Sequence, residues 1–129
     1  MNPEILAWVN KAEGDWETML RESVATEKRN LDAVCFHAQQ CAEKYLKARL
    51  ILGNVFFSKT HDLLALFEDI IILEPHWEYI RDGLGNLNSY AVALRYPGLD
   101  ATAEQSEQSV EHCRIVRHIV RLSLGLASD

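Results

Sequence analysis

Two arginines and an asparagine raise the first chemical question in this chain. Arg81, Asn88 and Arg95 are spaced by sevens, so on one helix they share a meridian at the margin of an apolar stripe. Guanidinium groups offer forked, bidentate donors, and two of them lining a groove with an amide suit a phosphate or a nucleotide. Arg95 stands in Leu94-Arg95-Tyr96-Pro97-Gly98, where the helical pattern runs into a stop signal. A cation there also complements the negative end of the helix dipole without any ligand. Position alone does not choose between a ligand contact and a helix-end cation.

A second basic cluster lies near the C-terminus. Arg114, Arg117, His118 and Arg121 fall on one face at helical spacing and are candidates for contact with nucleic acid. Glu104, Glu107 and Glu111 precede them, so the charges also follow the dipole from end to end, which a solvated amphipathic face explains equally well.

Other chemistries find no foothold. Cys35, His37 and Cys41 do not converge, because Cys35 points into the apolar stripe while His37 and Cys41 share another face. His112 and Cys113 diverge by about 100° on a helix, and Glu74 and His76 only flank a proline. With neither a His-Glu-x-x-His nor a paired-cysteine motif, no metal is expected. There is no Gly-x-Ser-x-Gly elbow and no strand leading into a phosphate loop. Asp82-Gly83-Leu84-Gly85-Asn86 reads as close helix packing, and no cofactor is expected.

The elements that must position these residues are helices. Asn2-Pro3-Glu4 supplies an N-cap, a proline in the first turn and an early acid. Ile5, Trp8, Val9, Ala12, Trp16, Met19 and Leu20 then recur at three- and four-residue steps. A second helix is predicted from an Asn30 cap to Gly53-Asn54, with Leu31, Val34, Cys35, Ala38, Ala42, Tyr45 and Leu52 on one face. Phe36, Leu46 and Leu50 lie outside that stripe, which implies a second apolar contact with another helix or another subunit. A third, shorter helix is predicted to start from a Thr60 cap and to end at Pro75. A fourth carries Trp77, Ile80, Leu84, Leu87, Ala91 and Leu94. The last opens on the capping box Thr102-x-x-Gln105 and carries Val110, Cys113, Val116, Val120 and Leu124. No period-two alternation or hairpin turn appears. The predicted fold is all-α, an antiparallel up-and-down bundle of four long helices plus one short helix, with residues 1–129 as a single domain.

Composition agrees with this reading. The chain is 48% hydrophobic and 25% charged, ordinary values for a globular protein. A formal charge of −6 argues against coating nucleic acid through the overall field, though a local basic patch is compatible with it. Three cysteines without staple-like spacing, no signal peptide and only short apolar runs predict a cytoplasmic protein without a membrane span.

Three stretches carry a resemblance. "CFHAQQCAEKYLKARLILGN" (35–54), "THDLLAL" (60–66) and "LNSYAVALRYPG" (87–98), in that order, resemble the HEPN domain family, named for higher eukaryotes and prokaryotes nucleotide-binding. The opening "ILAWVNKAEGDWETM" (5–19) is similar to that family's first helix. The resemblance spans essentially the whole chain and implies a helical bundle that dimerises and binds nucleotide or RNA. It also implies a place beside a minimal nucleotidyltransferase, as one half of a toxin–antitoxin-like pair. Several members are metal-independent ribonucleases marked by an arginine, four to six residues and a histidine. Arg95 matches the arginine, but residues 100–102 are Asp100, Ala101 and Thr102. Arg114 to His118 has too few intervening residues, and Arg29 to His37 too many. An ionised aspartate is a poor general acid at neutral pH. The resemblance therefore points to a non-catalytic domain with Arg95, Tyr96, Asn88 and Arg81 as ligand contacts. The alternatives are a ribonuclease using Arg95 with a substitute for the histidine, and a purely structural dimerisation module. His61, within Thr60-His61-Asp62-Leu63, is expected to be structural.

Overall fold

The structure, a computed structural model, describes residues 1–128. It is all-helical, with no strand among these residues. The elements are α1 (Pro3–Ser23), α2 (Leu31–Leu52), α3 (Leu63–Leu73), a 3-10 segment (Pro75–Ile80), α4 (Arg81–Ala93) and α5 (Ala103–Ser123). The starts follow local chemistry. Asn2 accepts from the Glu4 N–H, Asn30 from the Ala33 N–H, and Thr102 and Gln105 close the predicted capping box.

Helix α2 is the axle of the bundle, packed against α1, α5, α3 and α4. That position decides between the two contacts expected for the residues outside the stripe. Leu46 and Leu50 are fully buried within the chain, because an encircled helix needs apolar side chains all round and not on one stripe. Of the three apolar residues outside the stripe, Phe36 alone is exposed. The core also holds Met19, Tyr45, Phe67, Ile70, Leu84 and Leu87, and all three cysteines are buried and unpaired.

Two helix starts differ from expectation. Asp62, not Thr60, caps α3: its carboxylate accepts from the Leu64 and Ala65 N–H groups, the position an N-cap acceptor must occupy. Thr60 instead accepts from the Asp62 N–H and shapes the turn before the helix. The fourth helix begins only at Arg81. Trp77 and Ile80 are both buried, and their three-residue step is met by the 3-10 segment that follows Glu74.

After α4 the chain turns sharply. Gly98, at φ +87°, follows Pro97, and the Leu99 N–H returns to the Tyr96 carbonyl at 3.3 Å, a turn that needs a residue free to adopt positive φ. Asp32 then accepts from the Ala101 N–H at 2.7 Å, tying this loop to the start of α2. Arg95 stands between the end of α4 and this turn.

Candidate functional site

Arg95 lies one residue past the Leu94 cap of α4, exposed, between two grooves. The larger, about 390 Å³, has Gln39, His61, Asp62, Asn88 and Arg95 as its polar lining and Leu64, Ala91 and Val92 as its apolar wall. The smaller, about 200 Å³, runs along Phe36, Tyr90, Leu94 and Arg95. Arg95 borders both. Every other arginine donates to, or pairs with, a carboxylate, carbonyl or hydroxyl of the chain, whereas Arg95 has no such acceptor among the described residues.

The predicted ligand contacts separate. Asn88 lines the larger groove, but its amide is occupied: Oδ1 accepts from the Leu63 N–H at 3.0 Å and Nδ2 donates to Asp62 at 2.7 Å. It joins α4 to the cap of α3, and one of its two amide N–H donors is taken by that cap. Arg81 stays out of both grooves. It pairs with Glu68 at 2.5 Å and Glu78 at 2.6 Å and stacks over Phe67 at 4.9 Å, because the 3-10 segment places Glu78 three residues before it and α3 brings Glu68 and Phe67 alongside. Tyr96 is exposed and borders neither groove.

The basic cluster of α5 also divides. Arg117 turns inward, donating to both oxygens of Glu13 at 2.7 and 2.8 Å and lying 4.6 Å over the Trp16 ring. Arg121 donates to Tyr45 at 3.0 Å and to the Ala127 carbonyl. Burial pushes the Glu13 carboxyl up, but the hydrogen bonds from Arg117 and Tyr45 and the two arginine charges outweigh it and hold Glu13 below the ordinary carboxylate range. Only Arg114, paired with Glu111, and His118 remain on the outer face. No group of three His, Cys, Asp or Glu side chains is close enough to hold a metal ion among the described residues.

Sequence reasoning missed a buried polar ladder beneath the larger groove. Gln39, Glu43 and Lys47 recur every four residues on α2 and are all buried. Glu43 accepts from Lys47 Nζ at 3.0 Å and from Gln39 at 3.3 Å, and its Oε1 meets His61 Nδ1 at 3.0 Å. Lys47 Nζ faces the rings of Trp8 and Phe57 at 5.2 and 5.8 Å. Gln39 also donates to the His61 carbonyl at 2.9 Å. The available signal was the four-residue repeat itself: three polar residues in register along one face of α2.

A family model for the HEPN domain matches residues 5–123. The chain belongs to the HEPN family. Among solved structures, this HEPN chain is similar to TT1696 from Thermus thermophilus, with a TM-score of 0.72 at 20% identity, over 95% of this chain and 98% of that one. At that identity the likeness concerns the fold. No curated protein matches the chain in sequence. No helix among the described residues is long and apolar enough to cross a membrane.

Proposed function

We propose that this HEPN domain binds a phosphate-bearing ligand, a nucleotide or an RNA strand, at the groove bordered by Arg95, and that it does so without cleaving it. The observation that carries this reading is the unpaired guanidinium of Arg95 at the mouth of an open groove, in a chain whose other arginines are all engaged. An exposed, unpaired fork is ready to donate two hydrogen bonds to phosphate oxygens. The setting proposed is that of a partner subunit, working as a homodimer beside a nucleotidyltransferase in a toxin–antitoxin-like pair. Exposed Phe36, on the smaller groove next to Arg95, supports a protein contact at this end of the bundle.

The test is anisotropy of a labelled single-stranded RNA, with nucleotide competition. Losing a guanidinium that grips phosphate costs about 1.5–3 kcal/mol, so Arg95→Ala should weaken binding roughly ten- to a hundredfold at unchanged melting temperature. Arg95→Lys should recover part, since a point charge cannot reproduce the fork. If the wild type cleaves RNA in the presence of a chelator and Arg95→Ala does not, the domain is a ribonuclease. If neither binding nor cleavage depends on Arg95, it is a helix-end cation in a dimerisation module.

A further inference from the structure

We infer that His61 is the second phosphate contact of the larger groove, that the buried Glu43 positions it, and that ligand binding there is coupled to uptake of a proton. The inference rests on Arg95 being the first phosphate contact. It revises the structural role expected of His61, whose side chain is 73% exposed and so contributes little to the core.

Glu43 decides the tautomer. Its carboxylate, 3% exposed, accepts only, so the His61 nitrogen facing it, Nδ1, carries the ring proton. In the neutral ring the other nitrogen, Nε2, is then an acceptor and repels a phosphate oxygen. Protonation turns Nε2 into a donor. The other polar groups of the groove are neutral or acidic and largely engaged: Gln39 donates to the His61 carbonyl and to Glu43, and Asn88 gives one of its two amide N–H groups to Asp62. Two cationic donors are left to hold an anion, Arg95 and protonated His61.

The charges around the groove agree. From α2, Glu43 and Lys47 neutralise each other at 3.0 Å. Asp62, before α3, contributes a negative charge and Arg95, after α4, a positive one. With a neutral imidazole the lining has no net charge, and with an imidazolium it is positive. An anion therefore draws a proton onto His61, and binding tightens as the pH falls.

The experiment measures the Kd of a tetramethylrhodamine-labelled single-stranded RNA without terminal phosphates, at about pH 6 and about pH 8 and fixed ionic strength. Its phosphodiesters hold one charge each at both values, so the pH slope belongs to the protein. Wild type should bind roughly three- to tenfold tighter at about pH 6. His61→Gln should be flat at the weaker level, and His61→Lys, a cation at both pH values, flat at the tighter one. The positioning role is read from Glu43→Gln made together with Lys47→Met, which leaves no buried ammonium unpaired and should reduce the slope in a protein that still melts cooperatively. A pH-independent wild type, or a slope that survives in His61→Gln, overturns the inference. If Arg95→Ala weakens binding and that slope survives, this inference falls alone. If Arg95→Ala binds like wild type, the underlying reading falls first.

Discussion

Replacing Glu13 by glutamine should cost stability in a way that depends on pH. The carboxylate takes two hydrogen bonds from Arg117, at 2.7 and 2.8 Å, and a third from Tyr45 at 2.5 Å, with Arg121 at 3.6 Å. The Arg117 side chain is only 8% exposed and Glu13 27%. Removing one partner of a buried pair typically costs 3–5 kcal/mol, and an exposed pair is worth at most about 1 kcal/mol. The partial exposure of Glu13 places the loss between these, at about 2–3 kcal/mol. Unfolding entropy for a chain of this length is roughly 0.27 kcal/mol/K, so the melting temperature should fall by about 7–11 °C near neutral pH. The folded-state pKa of Glu13 lies below its ordinary value of 4.5. Its stabilisation is therefore fully present above that value and lost as the pH falls through the lower, folded one. Thermal melts followed by circular dichroism should show wild type and Glu13→Gln far apart at neutral pH and converging in acid. A shift under about 3 °C at neutral pH, or a gap that widens in acid, would refute the reasoning.

Asn88→Leu should destabilise by about 1–3 kcal/mol and speed amide exchange at Leu63, because it strips the acceptor from that N–H and a donor from Asp62. Cys35, Cys41 and Cys113 should not react with a thiol reagent in the native protein and should all react in denaturant: the three are buried, and burial pushes the Cys35 and Cys41 thiols up, away from the reactive thiolate. Phe36→Asp should leave the helical content unchanged and convert a dimer to a monomer by light scattering, and an unchanged oligomer would move the contact elsewhere.

Helix positions were legible where local signals act within one turn. Asn2, Asn30 and Thr102 each cap a nearby N–H, and sequence spacing suffices to find them. The errors lie where a neighbouring element decides. Thr60 and Asp62 are both acceptable caps by type, and Asp62 fills the role while Asn88, from α4, donates to its carboxylate. Leu46 and Leu50 look surplus only if α2 has one buried side, and no residue of α2 announces that it is the axle of the bundle. The same cause hid the Gln39-Glu43-Lys47 ladder, which on a one-sided helix reads as an ordinary solvated face.

The two basic clusters show why spacing can place a group on a face without giving its purpose. Arg114 and Arg121 lie about 20° apart on a helical wheel, yet one pairs with Glu111 of its own helix and the other with Tyr45 of α2. What differs is what stands opposite: Glu13 and Tyr45 approach the C-terminal end of α5, and the 124–128 segment folds back so that carbonyls of Ala127 and Ser128 meet Arg121 and Arg117. These arginines are consumed in fastening α1, α2 and the tail to α5. Arg81 is consumed in the same way by Glu68 and Glu78. Arg95 escapes because its neighbourhood is arranged otherwise. Asp32 is engaged by the Ala101 N–H, Asp62 by the start of α3 and by Asn88, and Glu43 by Lys47 and His61. Each of these carboxylates already accepts from a donor of the chain and none of them pairs with Arg95, which favours the proposed reading that its partner is an anion from outside the chain.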